Sequence, residues 1–301
     1  MIHLEAEGIA LSMMPERGGK ITSLVDTDRG REWLEQAADV LVGPADVQKS
    51  FDEGDMSGWD EMMPTISACR YPGATLELPD HGELWRVPWE VTRQSPSSVS
   101  TRVQGQALPY IFERTLTLDP RRVRVEYRVS TSGDGELTFL WAAHPLFTLH
   151  SGTKVAVDSG SSSFEQVHED GTRTPVTWPA SGVVIADVAG AGQGQKFFTR
   201  ALIESVGVSL TDPDGAQLTL NWQRSQIPWT GLWLDNCSLS RRPVAAIEPT
   251  GASDDSLEAS SFAGKSWTVS LGLAKYWNIE LSVSGLGHRS GEAHGYWLLS
   301  T

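Results

Sequence analysis

Cysteine is nearly absent: Cys69 and Cys237 are the only two among 301 residues. Two thiols cannot build a disulfide framework and have no metal-ligand spacing, so a reducing, cytoplasmic setting and no metal site are expected. No apolar run approaches the roughly 20 residues that cross a bilayer, so no membrane span is expected. The N-terminal MIHLEAEGIALSMMPERGG lacks the basic start and unbroken apolar stretch of a secretory signal. Positive charge is scarce as well. Lys and Arg number 24 against 38 Asp and Glu, a formal net charge of −14, which repels nucleic acid and anionic membranes. The densest basic cluster, Arg121, Arg122, Arg124 and Arg128, alternates with apolar residues as a half-exposed strand does. Also missing is any sustained apolar stripe of helical period with caps; the best candidate is a short helix over 31–38. GAGQG at 190–194 lacks the lysine of a phosphate-binding loop.

What is present is strand pattern. Val123, Val125, Tyr127 and Val129 alternate with Arg122, Arg124, Glu126 and Arg128 in period two. YIFERTLTLD precedes that run and ELTFLWAAHPLF follows the turn SGDG, which together predict a three-stranded meander. Further strands are expected at KITSLVD, TLELPD, 99–103, GVSLTD, AQLTLNW, KSWTVSLGLA and IELSVSG, with DPDG as a hairpin turn. Many short strands separated by Gly, Pro and Asp imply an all-β sandwich or barrel. No repeat or linker divides the chain, so 1–301 is read as a single domain that buries roughly 75% of its unfolded surface.

Twelve tryptophans stand out. Indole faces stack on pyranose rings, yet they also fill wide sandwich cores, and the sequence leaves both open. Four places combine chemistry-bearing residues with structural punctuation. His144, in WAAHPLF, ends an apolar strand before Pro145, which stops the ladder and can leave the imidazole at a rim. Glu248, in VAAIEPTGASDD, ends another such strand, where an apolar wall would raise its pKa. His81, in LPDHGELWRVPWEV, lies beside Gly82 with Arg86 and two tryptophans nearby. In GWDEMMPT, Asp60 and Glu61 are adjacent, and neighbours on a strand point to opposite faces. A core histidine and a turn-capping glutamate fit the same patterns.

The ordered set GGKITSL, GWDEMMP, LPDHGELWRVPWEV, ERTLTLD, WAAHPLF, DPDG, IPWTGLWLDN and IEPTGASDD resembles the aldose 1-epimerase (galactose mutarotase-like) superfamily. It is closer to the hexose-6-phosphate mutarotase-type branches than to the galactose enzymes, and it runs along essentially the whole chain. The resemblance implies an all-β, galactose-mutarotase-like β-supersandwich with an open sugar groove. It implies His144 as general acid, Glu248 as general base and His81 as a substrate-holding histidine. Asp60, Glu61 and Arg86 are further candidate substrate contacts. Three departures are plain, the first being that GWDEMMP stands in the region of the Asn-Arg pair typical of the galactose branch. Trp85 stands four residues after His81, where the phosphosugar branch carries arginine, and Arg86 follows one later. KFFTRAL occupies the region of the family's sugar-contacting aspartate, with neither Asp187 nor Asp212 a clear substitute.

Opening a hemiacetal needs one group to protonate the ring oxygen and another to take the anomeric hydroxyl proton, with no cofactor. The expected function is therefore a mutarotase that interconverts α and β anomers of a free aldose, as a monomer or homodimer. The alternatives are a carbohydrate-binding or sensing module without turnover, and an enzyme using the same pair for epimerisation or elimination beside a carbonyl.

Overall fold

The computed structural model describes residues 1–39, 41, 43–46, 49–158, 163–199 and 205–284. Among them, eleven strands form one sheet and nine form a second, and the apolar core lies between the two. The period-two sequence produces this directly. In Tyr110–Asp119 and Arg122–Thr131 alternate residues are buried, and the intervening arginines face outward. Arg122 pairs with Glu280 and Arg128 with Glu113, so the basic cluster is a solvated sheet face. DPDG closes a hairpin between Ser205–Thr211 and Gln217–Gln223, with Asp212 N–H donating to Ala216 O at 2.8 Å. Most tryptophans fill the core: Trp141, Trp267 and Trp277 pack with Tyr127 and Phe139, and Trp33, Trp59 and Trp178 are also fully enclosed.

Three expectations require correction. No helix forms over 31–38: Arg31–Glu32 pairs with Val25 and Asp26, while the Trp33 and Glu35 amides donate to Leu24 and Leu146. Those amides leave for neighbouring strands, so no i to i−4 ladder can start. Among the described residues the α-helix is Leu257–Phe262, where Ser256 caps the Ala259 amide. The third meander strand splits in two. Leu137–Phe139 pairs with Trp267–Val269, and Ala142–Thr148 crosses into the eleven-stranded sheet. The place beside Arg122–Thr131 is taken by Ala274–Val283. TLELPD and KSWTVSLGLA keep only the short strands Glu77–Leu78 and Trp267–Val269. The last residue of IELSVSG, 285, and Trp297 lie outside the described residues.

Ala142–Thr148, the histidine strand, and Val244–Thr250, the glutamate strand, are adjacent and buried on both faces. One face joins the inter-sheet core and the other lies under loops, which explains their near-continuous apolar sequence. A buried polar knot secures the centre. Glu61 accepts from Arg114 Nη1 at 3.0 Å, Tyr127 Oη at 2.9 Å and Trp141 Nε1 at 2.9 Å. Arg114 also donates to Gly19 O and stacks on Trp89, 4.6 Å from the ring centre.

Removing one partner of a buried pair strands the other charge. Arg114→Met is expected to lower unfolding free energy by about 3–5 kcal/mol, read from urea denaturation; a loss within the scatter of surface substitutions would refute that role.

Candidate active site

Register between neighbouring strands assembles the site. The pairs Ala142–Thr250 and Leu146–Ala246 bring His144 level with Glu248, and His144 itself pairs with Asp60. Glu248 in turn pairs with Gly231, and Gly231 with Phe198. Registered partners point to the same face, so these side chains form one row across the open face of the sheet. His144 Nε2 lies 3.9 Å from Glu248 Oε1.

Loops wall this row into a groove of about 320 Å³, near the lower end for small-ligand pockets. The turn carrying His81 supplies one wall. His81 has φ 55 and Gly82 φ 64, and a Cβ on Gly82 would meet Met63 O at 2.1 Å. Two consecutive left-handed residues are needed here, and only the second is a glycine; such strain in a non-glycine residue clusters at functional sites. Asp80 Oδ2 contacts His81 Nδ1 at 2.6 Å. Phe51 stacks on His81 at 4.1 Å and meets His144 edge-on at 5.4 Å. Met56, Trp233 and Leu239 also line the groove.

His144 is 5% exposed and Glu248 is 1% exposed. Burial, followed by the charges of His81, Lys196 and Lys20, holds the His144 imidazole well below the usual histidine value. Its Nδ1 is buried with no hydrogen-bond partner in the protein. Burial raises the Glu248 carboxyl, opposed by Lys196, whose Nζ lies 2.5 Å from Oε2, and reinforced by Asp255.

The structure brings together three of the six candidate side chains: His81, His144 and Glu248. Asp60 shares their face but lies one strand beyond His144, 1% exposed and paired with Lys20 at 2.5 Å; burial pushes it up to about 6 against that pull. Glu61 points the other way, into the inter-sheet core, where burial pushes it up to about 7 against Arg114. Glu61 therefore does not reach the groove, because alternate residues of Trp59–Met62 face opposite sides. Arg86 does not line it either. Its guanidinium lies over Trp85 at 4.7 Å and bonds Asp80 O and Gly82 O, propping the His81 turn from behind. Asp187 is exposed, and Asp212 is bound to Arg31 and Thr153.

Sequence reasoning missed Lys196, Phe51, Trp233 and Asp255. Lys196 lies in KFFTRAL, marked only as a departure; its last three residues, 200–202, lie outside the described residues. Phe51 sits in a loop with no periodicity to flag it. Among the described residues, no group of three or more His, Cys, Asp or Glu is arranged to hold a metal ion. No helix among them is long and apolar enough to cross a membrane. A second hollow of about 330 Å³ is lined by Arg17, Lys20, Lys49 and Asp55, and two of its three cations are committed. Lys20 binds Asp60 and Ser57 O, and Arg17 binds the Gly43 and Pro44 carbonyls.

No protein-family model matches the sequence, and comparison with curated proteins finds no match. Solved structures do match. A galactose mutarotase related enzyme from Lactobacillus acidophilus is 15% identical with a TM-score of 0.72, covering 94% of this chain and 97% of that one. A galactose mutarotase-like protein from Lactobacillus casei is 18% identical with a TM-score of 0.69, covering 94% and 100%. A GalM/aldose epimerase homologue from C. elegans is 14% identical with a TM-score of 0.64, covering 95% and 98%. The chain therefore has the galactose mutarotase-like fold.

In the ligand-free protein the His144 ring is expected to keep its neutral NMR signature at pH 6. A ring already cationic at pH 6.5 would contradict the burial argument.

Proposed function

We propose that this protein is a mutarotase that opens and recloses the ring of a free aldose. The observation that carries this reading is the convergence of His144 Nε2 and Glu248 Oε1, 3.9 Å apart on one groove floor, with His81 at its edge. The anomeric hydroxyl and the ring oxygen are bonded to the same carbon. An acid and a base this close can each reach one of them within hydrogen-bond range.

Oε1 of Glu248 takes the proton of the anomeric hydroxyl. The bond between the anomeric carbon and the ring oxygen breaks, its electron pair goes to the ring oxygen, and that oxygen receives the proton from His144 Nε2. The open aldehyde rotates about its first carbon–carbon bond. Closure on the other face reverses both transfers, so the proton count is conserved across turnover. The resting imidazole is neutral and takes up a proton from solvent before the first ring opening. Burial that weakens its hold on that proton also makes the imidazolium a stronger acid, suited to a departing ring oxygen. His81, fixed by Asp80 and Phe51, is placed to bond a sugar hydroxyl.

Polarimetry on freshly dissolved single anomers tests this. His144→Ala and Glu248→Gln are each expected to slow catalysed exchange at least about a hundredfold, as loss of a positioned acid or base does. His81→Ala should mainly raise KM. Sugar binding seen by saturation-transfer NMR, with exchange no faster than in buffer, would overturn the enzymatic reading and leave a carbohydrate-binding module.

A further inference from the structure

Lys196 is the only lysine or arginine lining the groove among the described residues. It stands on Gln193–Thr199, one strand beyond the direct neighbour of the glutamate strand, and reaches across the face to grip Glu248 Oε2 at 2.5 Å. Gly231 keeps that path open: a Cβ there would lie 3.0 Å from Glu248 Oε2 and 3.2 Å from Phe198. The Phe198 ring sits 5.1 Å from the ammonium. On its other side Asp255 Oδ1 lies 3.4 Å away, and the Asp255 carbonyl is anchored by the Ile66 and Ser67 amides. The ammonium is thus clamped between two carboxylates on independent supports.

We propose that Lys196 is the positioning residue of this site: by holding Oε2 it fixes Oε1 as the oxygen presented to His144 and to a bound sugar, and it keeps Glu248 ionised. The proposal rests on the acid–base reading above. A carboxylate 1% exposed would otherwise favour its neutral acid form, which cannot act as a base.

The charges facing Glu248 set opposite expectations for its neighbours. Lys196 and His81 favour the ionised carboxylate, while Asp255 opposes it. His144 faces it as a neutral ring. Farther out, Lys20 and Asp60 pair with one another, Asp80 is occupied by His81, and Asp52 lies on the rim. Removing Lys196 therefore raises the pH at which Glu248 gives up its proton, and removing the Asp255 charge lowers it.

Infrared titration of the Glu248 carboxyl band, assigned by difference against Glu248→Gln, reads this directly. Lys196→Met should move the midpoint up by at least about one pH unit, and Asp255→Asn should move it down. Lys196→Arg should stay near wild type. At neutral pH, Lys196→Met should lower kcat with KM little changed, and the deficit should close as the pH is raised past the shifted midpoint, where the carboxylate is ionised again. If Lys196→Met does not fold, Asp255→Asn and Lys196→Arg still decide the matter. An unmoved midpoint in Lys196→Met, or an upward move in Asp255→Asn, overturns the clamp. The band is read without turnover. A protein that shows the expected midpoints but no anomer exchange would keep the clamp and lose the mutarotase reading.

Discussion

Antiparallel strands alternate their side chains with period two, so a one-residue slip of the histidine strand would turn His144 into the inter-sheet core and bring Ala143 or Pro145 to the groove. The groove depends on that registration more than on any single bond. The flanking pairs Ala142–Thr250 and Leu146–Ala246 on one side, and His144–Asp60 on the other, hold the histidine strand in place. Both of its faces are buried, so a slip in either direction would drive alanine, leucine and phenylalanine out of filled space. The same lattice separates Asp60 from Glu61: adjacent in sequence, one joins the row beneath the groove and the other ties the two sheets together.

Buried carboxylates carry charge at a cost, and at three of them, on both faces of the sheet, a cation offsets it. Glu61 has Arg114, Asp60 has Lys20, and Glu248 has Lys196. The three pairs differ in how fully the carboxylate is satisfied. Glu61 accepts from Arg114, Tyr127 and Trp141, which makes it a structural knot. Asp60 keeps one oxygen buried without a partner, while Lys20 is shared with Asp55 and backbone carbonyls. Only Glu248 has one oxygen held and the other turned toward an open groove and an imidazole. That asymmetry, more than its burial, sets Glu248 apart from the other two carboxylates.

The loops finish what the sheet begins. Phe51 packs against both histidine rings, and the strained His81–Gly82 turn, braced by Arg86, forms one wall. Arg86, one residue after the place where the resemblance expects an arginine, holds the Asp80 and Gly82 carbonyls of that turn.

Much of this was legible in the chain itself. Strict alternation in Arg122–Thr131 and Tyr110–Asp119 announces paired half-buried strands, and DPDG announces its hairpin, because those signals are local. His144 and Glu248 could be singled out since each ends an apolar run next to proline. What local pattern could not reveal is which strands become neighbours. Sequence adjacency suggested that the chain after Arg122–Thr131 would continue the meander, whereas Ala274–Val283 pairs there and frees Ala142–Thr148 for the other sheet. The 31–38 segment likewise spends its amides on partners far along the chain. Composition and periodicity determined an all-β chain and two good candidates. Long-range pairing alone decided that they face each other, that Glu61 belongs to the core, and that a lysine 52 residues from Glu248 grips it, because strand order is settled by packing between distant segments and leaves no mark in either segment by itself.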